Sequence, residues 1–408
     1  MRRGFVLGGG FEGAEPLTKE GFRLDALADS GHFREELCLA DYRLLRHLRG
    51  SFAREGLSWF RVDQGGGRYD FSRYEAILRV GRDVGMEQVW DLTHYSIPRR
   101  YEDPEYLLSH TREFVGQFVD YAIAAVKLLR RYNSGTIYVV PIGEISFWAY
   151  MAARREWAPF GISELDFKIV LVRASIAAMD AVLAADRDVR FIQADPIVRA
   201  TPMTPATRRR VLLAEEFARY KFETWDMLSG RLYPELGGHP RHLDILGANY
   251  YPHNQMRITG VCEDLAEARF YPHNQKSFTF EVMPLDDPDR VSAAVILEEA
   301  HRRYGRPILV AETGAWGDLR ARWWRTFLGQ VGEARGRLPI LGVCAYPFVD
   351  RRDFHLRHLT RSGLVDFAGG DPRRRVPYRP AVDVIGGFLD GLPVAEGLSQ
   401  ALGGAAAL

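Results

Sequence analysis

The sequence predicts an α/β fold, a single-domain (β/α)8 TIM barrel. Three observations carry that expectation: eight short apolar runs, a helical pattern following each, and no Pro/Gly/Ser-rich linker dividing the 408 residues. Eight is the number at which a parallel sheet of this kind closes, and each parallel pair needs a crossover of helix length. The barrel is assigned to residues 1–391. The tail 392–408, rich in small residues, is expected to fray.

In chain order, the run Phe5 to Gly9 is followed by the helical pattern Arg34 to Arg49, and Phe52 to Trp59 by Phe71 to Val84. Glu87 to Thr93 leads to Glu105 to Tyr132, and Thr136 to Ile142 to Ser163 to Ala185. Val189 to Asp195 leads to Thr207 to Gly230, and Leu243 to Tyr250 to Val291 to Tyr304. Pro307 to Glu312 leads to Asp318 to Ala334, and Ile340 to Tyr346 to Pro380 to Leu389. A doubly wound sheet would use the same elements, but Gly8-Gly9-Gly10 lacks the G-x-G-x-x-G spacing of a nucleotide-binding loop. Tyr251-Pro252-His253-Asn254-Gln255 recurs as Tyr271-Pro272-His273-Asn274-Gln275 after the sixth strand, a loop feature rather than a solenoid period.

Lys plus Arg number 54 against 53 for Asp plus Glu, so no global field recruits nucleic acid or an anionic membrane. Small neutral molecules suit such a surface better. Cys38, Cys262 and Cys344 are widely spaced and suggest neither a disulfide framework nor a zinc site. Met1 to Gly10 runs on without a signal-peptide core, and no apolar run approaches the ~20 residues of a membrane span. The reading is a soluble cytoplasmic protein of unspecified oligomeric state, needing no metal or other cofactor.

In a parallel barrel the chemistry gathers at the C-terminal strand ends. Two acids close apolar runs there: Glu144 ends Tyr138-Val139-Val140-Pro141-Ile142-Gly143-Glu144, and Glu312 ends Ile308-Leu309-Val310-Ala311-Glu312. Burying either alone would be costly, so each must meet a partner, a polar cavity or a substrate. Taken singly, each is more often the structural partner of an arginine or of a helix N-terminus than a catalyst. Together, on the fourth and seventh strands, they suit cleavage of a glycosidic bond with retention, which needs two carboxyl groups about 5 Å apart.

With both acids placed, the chain resembles glycoside hydrolase family 1. Leu243 to Tyr251 resembles the family's D-F-x-G-x-N-Y-Y, and Pro307 to Gly314 its P-I-x-I-T-E-N-G. Phe52 to Arg61 resembles A-Y-R-F-S-I-S-W-S-R, and Thr93 to Pro98 resembles Y-H-W-D-L-P. Gly363-Leu364-Val365-Asp366 and Arg375-Val376-Pro377 are similar to its closing motifs. The resemblance implies a retaining β-glycosidase acting on a small soluble β-glycoside through a covalent glycosyl-enzyme. Glu312 would be the nucleophile and Glu144 the acid/base, with Arg54 and Tyr251 supporting Glu312. A cation and a hydroxyl beside Glu312 should lower its pKa, while Glu144 should titrate higher and keep its proton.

By the same resemblance His94, Asn249, Tyr346 and Asp353 are substrate-binding; from the residues themselves Trp316, also assigned to substrate binding, and Tyr251, Tyr271, His253 and His273 are candidate aromatic platforms for a sugar or aglycone, although aromatics near strand ends are more often packing residues. The chain also departs from the pattern. Gly143 stands where the family has an asparagine that binds the sugar 2-hydroxyl, Gly10 replaces a glutamine, Asp353 a longer glutamate and Phe354 an indole. Arg351 and Arg352 suit either an anionic substituent or an exposed loop. His355 and His358, and the run Arg373-Arg374-Arg375, read as solvated surface. Two other readings stay open: a transglycosidase or biosynthetic tailoring enzyme, and a non-catalytic carbohydrate-binding barrel.

Overall fold

The computed structural model describes residues 4–11, 13–261, 278–353 and 358–403. All eight expected strands are present: β1 Val6–Gly10, β2 Phe52–Gly56, β3 Glu87–Asp91, β4 Ile137–Val140, β5 Val189–Pro196, β6 Ile245–Asn249, β7 Ile308–Thr313 and β8 Ile340–Ala345. Each pairs in parallel with its neighbours, and β1 joins both β2 and β8, so the sheet closes into the expected (β/α)8 barrel.

Period-two alternation sorts the strand residues between two cores. Val6, Phe52, Val89, Tyr138, Ile192, Ile245 and Leu309 fill the interior. Leu7, Ala53, Val139, Phe191, Leu246 and Val310 point outwards against the helices. Those helices follow the sequence periodicity. Glu75–Val84 buries Ile77, Leu78, Val80 and Gly81 on one stripe and ends at Gly85, whose φ of 65° is the left-handed conformation that favours glycine.

Four departures bear on function. The pattern Thr207 to Gly230 is two helices, and the first, Arg208–Tyr220, is no crossover. It packs Leu213 and Phe217 on a three-stranded sheet formed by Arg199–Pro202, Gln255–Val261 and Phe278–Val282. This cap comes from the segments after β5 and β6. A second helix, Ile145–Ala153, follows β4; its sequence is apolar on nearly every face and carries no periodic signal.

The third departure is the tail. Leu398–Leu402 forms a short helix that plugs the N-terminal end of the barrel, with Leu398, Ala401 and Leu402 joining the interior core and Tyr138 Oη 2.9 Å from Ser399 Oγ. This part is packed rather than frayed, because it covers apolar strand ends that water would otherwise reach; 404–408 lie outside the described residues. Leu398→Ala should lower stability by about 2–5 kcal/mol in denaturant unfolding; no loss would mean the plug contributes nothing to the core.

Fourth, Arg375 is not solvated. Its Nε donates to Asp41 Oδ1 at 2.7 Å, and Asp41 also meets His32 Nδ1 at 2.8 Å, so a cation is needed beside a buried carboxylate. Arg373 remains on the surface with Asp371. Cys38 and Cys344 are both buried. Cys262, Tyr271, His273, Phe354 and His355 lie outside the described residues. Among those described, no helix is long and apolar enough to cross a membrane.

Candidate active site

The C-terminal strand ends surround a cavity of about 420 Å³ that contains both acids, His94, Tyr251 and Tyr346. Each acid is aimed by a local irregularity. Glu144 sits at φ 50°, ψ 54°, a left-handed conformation that a non-glycine residue adopts at a cost, and the helix Ile145–Ala153 starts directly after it. That helix start is held by Asp195, which accepts from the Ser146 N–H at 3.0 Å and from its hydroxyl at 2.6 Å. On β7 the register shifts between Leu309 and Glu312. Such a bulge re-aims a side chain, and Glu312 follows inward-facing Ala311 yet still lines the cavity.

Around Glu312, Arg54 Nη1 donates to Oε1 at 2.6 Å and the Tyr251 hydroxyl donates to Oε2 at 2.7 Å. The other edge of the Arg54 fork grips Asp91, with Nε and Nη2 donating to its two oxygens at 2.9 and 2.6 Å. Around Glu144, Asn249 Nδ2 donates to Oε1 at 2.8 Å and the Tyr95 hydroxyl donates to Oε2. His94 lies between the groups, Nδ1 3.2 Å from Asp91 and Nε2 4.0 Å from Glu144. Nε2 makes no aligned hydrogen bond, and Asn249 Oδ1 has none, so these two buried atoms can serve a ligand. One oxygen from each glutamate and one His94 nitrogen lie within 4.8 Å of one another.

That triangle also meets the spacing of a three-ligand metal site. The charges oppose it. Arg54 already occupies one side of Glu312, and although burial disfavours a charge on His94, Asp91 and Glu144 outweigh it and raise its pKa to about 10.

The two carboxyl groups titrate in the reverse of the expected order. Burial raises both, but at Glu144 the His94 imidazolium, the Tyr95 hydroxyl and the Asn249 amide prevail and hold it below the usual carboxylate range. At Glu312, burial and the charge of Glu144 outweigh Arg54, His94 and Tyr251, so its pKa is raised. The sequence reading missed Tyr95 and Asp91, which give Glu144 its hydroxyl donor and hold Arg54 and His94.

Gly143 has a steric reason. A Cβ there would lie 2.8 Å from Asp91 Oδ2 and 2.9 Å from His94 Nδ1, so the Asp91–His94 pair fills the space that an asparagine side chain would need. Gly143→Ala should therefore lower stability by about 1–3 kcal/mol, measured as a reduced unfolding midpoint. An unchanged midpoint would show that the pair yields freely.

The remaining candidates divide. Tyr346 and Trp316 line the cavity, and Tyr251, His253 and Trp316 form a run of rings, Tyr251 stacked on His253 at 5.2 Å and His253 5.8 Å from Trp316. Asp353 is not among the described residues lining the cavity; its N–H donates to His358 O at 2.9 Å beside the short hairpin that pairs Arg351–Arg352 with Leu359–Thr360. Arg351 reaches the cavity with its guanidinium 5.7 Å from the Tyr346 ring, while Arg352 points to Asp29 at 3.6 Å.

Fold and site together give a closed (β/α)8 barrel with two acids, at the ends of β4 and β7, facing one cavity. Among solved structures, a family 1 β-glucosidase from Thermotoga maritima superposes with a TM-score of 0.74 at 14% identity, covering 96% of this chain and 99% of that one. A β-glucosidase from the same organism in complex with glucoimidazole gives 0.74 at 14%, covering 97% and 100%. A β-glycosidase from Pyrococcus horikoshii gives 0.70 at 16%, covering 97% and 99%. The fold is that of the family 1 β-glucosidases, as the sequence motifs imply. No protein-family model and no curated protein matches the chain.

Proposed function

We propose that this chain is a divergent member of glycoside hydrolase family 1 and a retaining β-glycosidase acting on a small soluble β-glycoside. The observation that carries the reading is the carboxylate separation. An inverting enzyme holds its carboxyl groups about 6.5–9.5 Å apart to admit water and a retaining one about 5–5.5 Å; here an oxygen of Glu144 and one of Glu312 lie within 4.8 Å of each other, a proximity that supports the retaining reading.

In this reading a Glu312 oxygen attacks the anomeric carbon as its bond to the leaving oxygen breaks, and Glu144 protonates that oxygen. Glu144 then takes a proton from water, whose oxygen displaces Glu312 from the sugar. Arg54 and Tyr251 hold Glu312 in position for attack. Because Glu312 is raised and Glu144 lowered in the empty site, these roles require bound substrate to favour the protonated form of Glu144. A sugar that engages His94 and Asn249 draws two of the groups that keep Glu144 ionised toward its own hydroxyls, which favours that transfer.

The test is intact-protein mass spectrometry with a panel of 2-deoxy-2-fluoro glycosides bearing good leaving groups, followed by peptide mapping. One sugar adduct on Glu312 is expected; an adduct on another residue refutes the assignment. The pH dependence gives a second check. Glu312 must be ionised to attack, so its raised pKa should place the acid limb of kcat/KM above the 4.5 of an ordinary glutamate. Glu144→Gln removes the charge that raises it, and with a dinitrophenyl glycoside, which needs no acid assistance, the limb should move to lower pH. A limb that stays in place would show that the acids do not interact.

A further inference from the structure

The inner end of the cavity carries the charges, and the outer end is walled by apolar side chains. On one side stand Phe147 and Tyr150, from the helix after β4. On the other stands the cap hairpin, whose two faces differ. One face is polar, with Arg257 paired to Glu281 at 3.1 Å and Thr259 beside Thr279 at 3.0 Å. The alternate residues, Met256 opposite Val282 and Ile258 opposite Phe280, make the other face apolar.

The cap helix covers Ile258 through Leu213 and Phe217. Met256, Phe280 and Val282 are left facing the cavity, with Phe280 and Val282 still 43% and 49% exposed. On the same cavity Trp316, 49% exposed, ends the run of rings that begins at Tyr251 beside Glu312. His253, in the middle of that run, stays uncharged, since its packed surroundings push its pKa down to about 4. The cations at this end are engaged: Lys221 is paired with Glu299, and Arg351 lies by the Tyr346 ring.

We propose that this outer cavity binds an uncharged, largely apolar ring system as the leaving group or acceptor, rather than a second sugar. The chemistry assigned to that group rests on the glycosidase reading; the binding does not. Sugar hydroxyls placed against Met256, Phe280 and Val282 would lose water without gaining partners. A flat apolar ring covers those side chains and Trp316 together, and removing such surface from water favours binding. The cavity is continuous from this pocket to Glu144 and Glu312, so a bound ring can share a bond with a sugar held at the inner end.

The test is calorimetric titration with 2-naphthol, a ring alcohol with no sugar attached, so that the result does not depend on turnover. Saturable binding to one site is expected, weakened at least about tenfold in the double variant Phe280→Asp, Val282→Asp, with the unfolding midpoint recorded alongside. If that variant does not fold, Trp316→Ser, at the end of the run of rings lining the same cavity, is expected to weaken binding several-fold. No saturable binding, or binding as tight in the folded variants as in the parent, overturns the proposal. If 2-naphthol binds as expected but no glycoside is turned over, the pocket stands and the glycosidase reading falls; turnover without 2-naphthol binding is the reverse.

Discussion

Replacing Glu312 with glycine is expected to reduce turnover of even an activated aryl glycoside by at least about a thousandfold, because in the proposed mechanism Glu312 forms the covalent intermediate. Glu144→Gly should behave differently. With a dinitrophenyl leaving group, which departs without a proton, the first step should survive, while a simple alkyl glycoside should be turned over no faster than by Glu312→Gly. Steady-state and single-turnover rates on the two substrates measure the split. Equal losses on both substrates in both variants would count against the division of roles, and a leaving-group-dependent loss at Glu312 rather than Glu144 would reverse it.

The second large effect is structural. Asp91 is fully buried and meets two cations, Arg54 through a two-pronged contact and His94 through Nδ1. Asp91→Asn keeps the shape and removes the charge, leaving two buried cations to share Glu144 and Glu312. Breaking a buried pair in this way typically costs about 3–5 kcal/mol, read as a lower unfolding free energy at neutral pH. The pH dependence has a definite sign. Although burial opposes its charge, Arg54 and His94 hold the Asp91 pKa below its usual value. Its contribution is therefore present above the unfolded carboxylate pKa and lost as pH falls through the folded one, so wild type and variant should converge in acid. A constant difference down to low pH would assign the effect to packing instead.

The barrel was legible because each strand is an apolar run long enough to stand out, and because a parallel sheet buried on both faces needs such runs. The acids were legible for a related reason: Glu144 and Glu312 each terminate one. The cap was not. Its strands, such as Phe278–Val282, alternate polar and apolar residues over a few positions inside a long segment, and its helix looks like any crossover until the partner of Leu213 and Phe217 is known. Asp91 stands within an expected strand, where its inward direction follows from parity with Val89, but its charge has meaning only beside Arg54, 37 residues away. The protonation order could not be read from motifs, since it depends on Tyr95 reaching Glu144 and on how burial balances against His94.

The cap sheet and its helix hold together through a small cluster of their own, Ala200, Leu213, Phe217 and Ile258, apart from both barrel cores. Substitutions on its cavity face thus alter what the outer pocket accepts while leaving the barrel's folding energetics nearly untouched. On the proposed function, selection can exchange the aglycone without disturbing the chemistry. In laboratory evolution, libraries restricted to positions such as Met256, Phe280 and Val282 should retain far more folded members than libraries of equal size aimed at Arg54, Asp91 or Gly143.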